Sequence, residues 1–142
     1  MKTSARNALK GTVETVTDGV VNSEVTLRLA SGIAVYAIVT IESARSLGLV
    51  PGKTAYALIK SSWVILTLAN EKMATSARNR LCGTVSRVVK GAVNTEVVVD
   101  LGNNNTIAAI ITNESQDLLK FSDGGPACAL IKASHVILAV DE

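Results

Sequence analysis

The sequence contains few aromatic residues and no long apolar run. One Trp, two Tyr and one Phe are its only aromatic residues, although 48% of the 142 residues are hydrophobic. The core must therefore be built from Val, Ile, Leu and Ala, a composition that favours strands. No apolar run approaches the roughly 20 residues that a membrane-spanning helix needs, so we expect no membrane partner.

The chain is equally poor in residues that catalyse reactions or hold metals. His135 is the single histidine, so a Ser-His-Asp or Cys-His set cannot occur in the first half of the chain. A glycine-rich phosphate loop is also missing. Cys82 and Cys128 are far apart without metal-ligand spacing, and we expect reduced, partly buried thiols. These absences argue against an enzyme and against a bound metal or cofactor.

Charge is low and evenly spread. The net charge is +2; residues 1–72 contain 8 basic and 5 acidic residues, and residues 73–142 contain 6 and 7. A nucleic-acid binder normally shows a basic stripe, and this sequence has none. The N-terminal residues 1–7 do not lead into the apolar stretch of a signal peptide, so we expect a cytoplasmic protein.

What the sequence does contain is an internal repeat. The string Thr-Ser-Ala-Arg-Asn at 3–7 returns at 75–79, and Ala-Leu-Ile-Lys at 57–60 returns at 129–132, both with an offset of 72 residues. No gap is needed, and roughly half of the aligned positions are identical. The chain is therefore predicted to hold two tandem domains, 1–70 and 73–142.

The apolar pattern within each copy predicts five short strands. In the first copy they cover 7–16, 21–29, 33–40, 54–60 and 63–68, with a short helix at 41–47 and turns at Asp18-Gly19 and Pro51-Gly52. Five short strands with one helix after the third are typical of an OB-like barrel. We predict an all-β protein made of two tandem OB-like five-stranded Greek-key barrels, each with one short helix.

Three groups of polar residues recur in both copies. Ser4 and Arg6 are two apart on a segment expected to be extended, so a hydroxyl and a guanidinium would point to the same side and suit an oxyanion. Thr40 and Ser43 fit the N-cap and first turn of the helix, where free N–H groups attract anions. Lys60 closes an apolar strand. The counterparts in the second copy are Ser76, Arg78, Thr112, Ser115 and Lys132.

Taken singly, these groups also fit a surface arm, a helix cap and a solvated lysine; together they form a set made only of donors. Hydrogen phosphate carries a proton and benefits from an acceptor, whereas a fully deprotonated tetrahedral dianion needs none. The set therefore favours sulfate, molybdate or tungstate over phosphate. Ligand size would separate sulfate from the other two, and a sequence does not show size.

The string Ser-Ala-Arg-Asn at 4–7, followed by Gly-Thr-Val at 11–13 and Gly-Val-Val-Asn-Ser-Glu-Val at 19–25, resembles the Mop or molbindin family. The resemblance covers essentially the whole chain, in both repeats. It implies OB-like domains with oxyanion sites between domains, often across the subunits of a trimer. It further implies cytoplasmic binding and storage or buffering of molybdate, and of tungstate, without a cofactor.

Carried over residue by residue, the resemblance implies one type of site built from Ser4 and Arg6 of one domain. Another domain would complete it with Thr40, Ser43, Lys60 and the backbone of Ser61. The matching set in the second copy is Ser76, Arg78, Thr112, Ser115, Lys132 and Ala133. The resemblance also implies a second oxyanion site, near the symmetry axis, at Gly19, Val21, Asn22, Gly91, Val93 and Asn94. The copies differ most at Trp63 against His135 and Lys10 against Cys82, outside both sets.

Two other functions fit a tandem OB-like repeat. An OB-fold nucleic-acid-binding module stacks bases on surface aromatics along a basic groove, and here aromatics are few and unrepeated. A structural trimerisation module would bind no oxyanion at all. No helix-turn-helix segment precedes the first repeat in this sequence, so we do not expect a complete molybdate-responsive repressor.

Overall fold

The computed structural model describes residues 2–142, and both repeats show the same order of elements. The first repeat contains β1 (Asn7–Asp18), β2 (Asn22–Leu29), β3 (Ala34–Thr40), α1 (Ile41–Ser46), β4 (Thr54–Ile59) and β5 (Ile65–Thr67). The second contains β6 (Asn79–Lys90), β7 (Asn94–Gly102), β8 (Asn105–Thr112), α2 (Asn113–Leu119), β9 (Pro126–Ile131) and β10 (Ile137–Ala139). A 3-10 turn precedes the last strand of each repeat, at Ser61–Trp63 and Ala133–His135. Neither helix described here is long and apolar enough to cross a membrane.

Each sheet is completed by the last strand of the other repeat. One sheet has the order β10-β4-β1-β2-β3 and the other β5-β9-β6-β7-β8, with antiparallel pairing throughout. Ile137 of β10 lies opposite Leu58 of β4, and Ile65 of β5 lies opposite Leu130 of β9. The chain accordingly forms two compact units. Unit 1 holds the residues up to Ile59 together with Lys132–Glu142, and unit 2 holds Lys60–Ile131.

The units and the sequence repeats divide the chain differently. The predicted domains 1–70 and 73–142 follow the repeats, whereas the compact units exchange the segment that holds the 3-10 turn and the fifth strand. The apolar pattern of β5 or β10 identifies a strand but does not identify its partner. The division into repeats and the division into compact units therefore differ only in the placement of each fifth strand and the 3-10 turn before it.

Each sheet curls, and its edge strands approach one another: β10 approaches β3 in unit 1, and β5 approaches β8 in unit 2. Alternate side chains of β1, such as Leu9 and Val13, face the interior and are buried, as are Val25, Leu27 and Val35 of the neighbouring strands. The core is aliphatic, as the composition predicts. The expected all-β architecture of two five-stranded OB-like barrels is confirmed.

Strand β1 bends at a bulge, where its register with β2 shifts between Val13 and Thr15. Just before the bulge, β1 and β2 come very close. A Cβ atom placed on Gly11 would lie 2.7 Å from the carbonyl oxygen of Arg28 and 2.8 Å from Cγ of Leu27. Glycine is required here because the second strand leaves no room for a side chain.

The predicted elements are close to the observed ones, and the clearest difference lies at the end of each repeat. A strand was expected over 63–68, but only Ile65–Thr67 pairs. The preceding residues form a 3-10 turn instead, because the N–H of Trp63 donates to the carbonyl of Lys60 at 3.0 Å. β4 ends before this turn, and the strand that follows the turn, β5, pairs with β9.

The expectation of reduced cysteines is wrong. Cys82 of β6 and Cys128 of β9 are direct cross-strand neighbours with a Cα–Cα distance of 4.0 Å, and they form a disulfide. A sequence separation of 46 residues gave no sign of this pairing, because the register of β6 on β9 is not visible in the sequence. The equivalent pair in unit 1 is Lys10 opposite Tyr56, so only unit 2 carries a covalent cross-link at this position.

We expect Gly11→Ala to lower the free energy of unfolding by about 1–3 kcal/mol, because the added methyl group must displace the backbone of β2. Urea unfolding followed by circular dichroism measures this loss. Lys10→Ala, an exposed change on the same strand, serves as the control and should stay within about 0.5 kcal/mol. Equal stability of the two variants would contradict the close approach of β1 and β2.

We expect reduction of the disulfide to destabilise unit 2 by about 2–4 kcal/mol, because opening the 46-residue link frees the unfolded chain. The measurement is thermal unfolding with and without dithiothreitol. A Cys82→Ser, Cys128→Ser double variant is the control and should unfold at the same temperature in both buffers. Identical melting of the unaltered protein in both buffers would show that the cysteines are not joined.

Candidate functional site

Thr40 and Ser43 form a hydrogen-bonded pair where β3 passes into α1. The Thr40 hydroxyl accepts the backbone N–H of Ser43 at 3.0 Å and donates to Oγ of Ser43 at 2.8 Å. Thr40 is thus the N-cap of the helix, as expected. Because its single hydroxyl proton is directed to Ser43, the proton left for a ligand is the one on Ser43.

The second repeat reproduces this arrangement. The Thr112 hydroxyl accepts the N–H of Ser115 at 3.0 Å and donates to Oγ of Ser115 at 2.9 Å. A chain of hydrogen bonds polarises its members in the same direction, which makes the terminal hydroxyl a better donor. Each pair therefore offers one strengthened hydroxyl donor rather than two ordinary ones.

An acidic residue lies in the first turn of each helix, next to this donor. Glu42 and Glu114 are both exposed and favour the positive end of the helix. Their negative charge opposes an anion at the same place. A dianion bound near Ser43 or Ser115 therefore needs cationic side chains as well, and the repeated arginines and lysines are candidates for this role.

The Ser4–Arg6 segment is not extended, contrary to the assumption made for it. The chain bends at Ser4 and again at Arg6, and Oγ1 of Thr3 accepts the N–H of Ala5 at 3.2 Å. A threonine side chain that bonds to nearby backbone competes with extended structure in this way. Ala77 and Thr75 make the same contact at 3.2 Å before Arg78.

The segments Ser4–Arg6 and Ser76–Arg78 form two N-terminal arms, and the asparagine that follows each arm attaches it to the sheet. Asn7 is 2% exposed, and its amide donates to the carbonyl oxygen of Ile59 at 3.1 Å; Asn79 is 1% exposed and donates to Ile131 at 3.2 Å. Both asparagines thus hold the entry into the first strand of their repeat. Ser4, Arg6, Ser76 and Arg78 are exposed, so each arm presents its polar side chains at the surface.

Lys60 and Lys132 each precede a 3-10 turn, and each of these turns belongs to the unit built mainly from the other repeat. Thr40 and Ser43 belong to unit 1, whereas Lys60 and Ser61 belong to unit 2. In unit 1 the turn Ala133–His135, which follows Lys132, packs on β3. In unit 2 the turn Ser61–Trp63 packs on β8, the strand that ends at Thr112. The expected grouping of Thr40 and Ser43 with Lys60 and Ser61 follows the first repeat and stays a prediction. In the structure the segment that begins at Lys60 belongs to unit 2, so Lys60 and Ser61 lie in a different unit from Thr40 and Ser43.

The arm and the Thr–Ser pair of unit 1 lie at opposite ends of β1. Arg6 precedes Asn7, the first residue of β1, whereas Thr40 pairs with Asn22, close to the point where Asp18 ends β1. The fold of unit 1 alone therefore does not bring all of its predicted site residues together. The same holds in unit 2 for Arg78 and Thr112.

The second predicted oxyanion site lies beside the Thr–Ser pair. The N–H of Gly19 donates to the carbonyl of Asn22 at 2.7 Å, and the carbonyl of Val21 accepts the N–H of Ile41 at 3.0 Å. Val21 and its neighbour Val20 are 67% and 98% exposed, and they line an open depression of about 700 Å³ with α1. The matching residues of the second copy are Gly91, Val93 and Asn94, with the Gly91 N–H on the Asn94 carbonyl at 2.8 Å.

One residue next to the predicted set was missed by the sequence analysis. The Trp63 ring lies under the Lys60 ammonium, with Nζ 5.7 Å from the ring centroid. The spacing of three residues across this 3-10 turn places both side chains on the same side. The sequence predicts 61–62 as a connection and Trp63 as the first residue of a strand, so it does not show this proximity. Among residues 2–142, no group of three or more His, Cys, Asp or Glu side chains is arranged to hold a metal ion.

Comparison with known proteins shows the family. The TOBE domain matches residues 3–66 and again 75–138, so the chain belongs to the TOBE domain family and carries two copies of that domain in tandem. This duplicated arrangement agrees with the resemblance to the Mop or molbindin proteins found in the sequence.

Several relatives resemble the chain over its whole length. The molybdenum-pterin-binding protein MopA of Rhodobacter capsulatus is 49% identical, with 99% of this chain and 53% of MopA covered. The molybdenum transport protein ModE of Azotobacter vinelandii is 41% identical, with coverage of 99% and 52%. The chain spans about half the length of these relatives. A solved structure of the cytoplasmic molybdate-binding protein ModG, with molybdate bound, superposes with a TM-score of 0.95 at 45% identity and covers 99% of this chain and 100% of that one.

We expect Thr40→Ala to lower the free energy of unfolding by about 1 kcal/mol, because the helix loses its N-cap acceptor. Thr40→Ser keeps the hydroxyl and should stay close to the unaltered protein. Urea unfolding of the two variants measures the difference. If Thr40→Ser costs as much as Thr40→Ala, the methyl group of Thr40, rather than the hydroxyl pair with Ser43, stabilises this junction.

Proposed function

We propose that this protein binds molybdate, and tungstate, reversibly and without covalent ligation, and that it stores or buffers the oxyanion in the cytoplasm. The observation that carries the proposal is the likeness, at 45% identity over the whole chain, to a protein solved with molybdate bound. MopA, at 49% identity, is named for binding a molybdenum compound as well. Both relatives point to molybdenum in oxyanion or pterin-bound form as the ligand class.

The donor chemistry of the chain supports an oxyanion ligand. Ser43 and Ser115 each present a hydroxyl proton polarised by a threonine. The other donors of the set are the hydroxyls of Ser4 and Ser76, the arginine and lysine side chains, and backbone N–H groups. The set contains no carboxylate, the strong acceptor that would select a protonated anion such as hydrogen phosphate. A fully deprotonated tetrahedral dianion satisfies these donors without leaving any of its own protons unpaired.

The number of donors is sufficient for tight binding. A hydrogen bond to a charged group contributes roughly 1.5–3 kcal/mol net, and micromolar affinity requires about 8 kcal/mol. Five or six such contacts exceed that value after the costs of association. No redox step, resident metal or cofactor is needed for this function, and we propose no catalytic activity.

We propose that the complete sites form in a homotrimer. The Ser4–Arg6 arm and the Thr40–Ser43 pair of unit 1 lie at opposite ends of β1, so the arm that completes a site has to come from another copy of the domain. A neighbouring protomer supplies such an arm. The full proposed set is Ser4, Arg6, Thr40, Ser43, Lys60, Ser61, Ser76, Arg78, Thr112, Ser115, Lys132 and Ala133.

A second oxyanion site at the β1–β2 turn is part of the same proposal. Asn22 pairs with Thr40, so this turn and the Thr–Ser pair lie side by side in unit 1. The exposed Val20 and Val21 are apolar, and burial of their surface against other protomers would place the turn near the axis of the trimer. The residues proposed for it are Gly19, Val21, Asn22, Gly91, Val93 and Asn94.

We expect Arg6→Ala and Lys60→Ala each to weaken molybdate binding at least tenfold at the sites they serve, because each removes a charge-assisted contact worth roughly 1.5–3 kcal/mol. Isothermal titration calorimetry with molybdate measures the affinity, with sulfate and phosphate as competitors in the same buffer. Sites of the two repeats are fitted separately. The fold should be unchanged by circular dichroism.

Arg80→Ala, which removes an exposed arginine of β6 outside the set, is the matched control and should bind like the unaltered protein. Unchanged affinity in both Arg6→Ala and Lys60→Ala would refute the assignment of these residues. Absence of any heat with molybdate from the folded protein would refute the function itself. A structural trimerisation module or a nucleic-acid-binding module would then be the better description.

A further inference from the structure

Trp63 lies at the end of the 3-10 turn that begins after Lys60. The N–H of Trp63 donates to the carbonyl oxygen of Lys60 at 3.0 Å, and side chains three apart in a 3-10 turn stand above one another. The Lys60 ammonium accordingly lies 5.7 Å from the centroid of the indole ring. This distance is within the range of a cation–π interaction, for which tryptophan is the best aromatic partner.

The turn is anchored by its other residues rather than by the indole alone. Ser61 and Val64 are 8% and 3% exposed, whereas Trp63 is 41% exposed. The turn packs on β8, the strand that ends at Thr112. The Trp63 ring is thus partly exposed and lies beside the Lys60 ammonium.

The second repeat has the same turn but a different ring. The N–H of His135 donates to the carbonyl of Lys132 at 2.9 Å, and Ala133 and Val136 are buried like their counterparts. The backbone therefore presents Lys132 as it presents Lys60. An imidazole has a smaller π surface than an indole, so it attracts a neighbouring ammonium less strongly.

From this difference we infer that Trp63 is a positioning residue for Lys60, and that it makes the two lysine sites of the chain unequal in oxyanion affinity. The inference rests on the proposed function of Lys60. A lysine side chain loses much rotamer freedom when it binds a ligand. The indole holds the ammonium near its turn before the ligand arrives, so a larger fraction of the unliganded protein is ready to bind.

The size of the effect follows from the strength of an exposed cation–π contact, which corresponds to about a two- to five-fold change in an equilibrium constant. We expect the sites served by Lys60 to bind molybdate about two- to five-fold more tightly than those served by Lys132. At any concentration below saturation, the Lys60 sites would then be more fully occupied than the Lys132 sites.

The two repeats supply matched substitutions for the test. Trp63→His places an imidazole in the turn after Lys60, as in the second repeat, and His135→Trp places an indole in the turn after Lys132, as in the first repeat. Calorimetric titration with molybdate of Trp63→His should show a loss of about two- to five-fold at the Lys60 sites only, so that the two classes merge. His135→Trp should raise the affinity of the Lys132 sites by a similar factor.

Further variants separate positioning from packing. Trp63→Leu keeps an apolar side chain and should lose the same affinity as Trp63→His, whereas Trp63→Phe keeps an aromatic face and should retain part of it. Because Trp63 is the single tryptophan of the chain, its fluorescence during a molybdate titration reports on the Lys60 sites. In a Lys132→Ala background the emission change should persist, and in Lys60→Ala it should be lost.

Full affinity in both Trp63→His and Trp63→Leu, with molybdate still bound by the folded protein, would overturn the positioning role and leave the proposed function standing. A loss in Trp63→Leu that Trp63→Phe does not recover at all would also overturn it, in favour of packing. If the unaltered protein binds no molybdate, both this inference and the proposed function fail.

Discussion

The antiparallel pairing of each fifth strand with the sheet of the other repeat is the constraint on which the rest of the structure depends. A sheet of four strands from one repeat leaves the outer edge of β4 or β9 unpaired, and an open edge exposes backbone donors and acceptors. β10 covers the edge of β4 and β5 covers that of β9. The tandem duplication is thus required by each barrel, because neither unit is closed by its own repeat.

Most of the fold could be predicted from the sequence because its signals are local. Alternating apolar residues gave the strands, the Thr–x–x–Ser spacing gave the helix cap, and the offset of 72 residues gave two similar units. The partner of β10 and the disulfide between Cys82 and Cys128 could not be predicted, since both depend on which strands pair and in what register. The 3-10 turn was missed because three residues are too few to show a period.

The residues of the proposed site remain a prediction, and the structure adds how the elements that carry them are arranged. Residue types alone indicate which side chains donate, and the repeated set was found in this way. The direction of the hydrogen bond from Thr40 to Ser43 depends on coordinates, and it changes the count of available hydroxyl donors. The turn after Lys60 packs on β8, the strand that ends at Thr112, and this placement depends on the strand exchange.

The strand exchange also bears on how the two repeats diverge in evolution. A substitution from Lys60 onward in the first repeat, or from Lys132 onward in the second, alters the barrel otherwise built from the other repeat. Changes in one repeat therefore affect the stability of both barrels. Trp63 and His135 are an example. Trp63 belongs to the first repeat but lies in unit 2, and His135 belongs to the second repeat but lies in unit 1. Loss of a single copy by deletion would leave a chain whose fifth strand has no sheet to join except that of a second molecule.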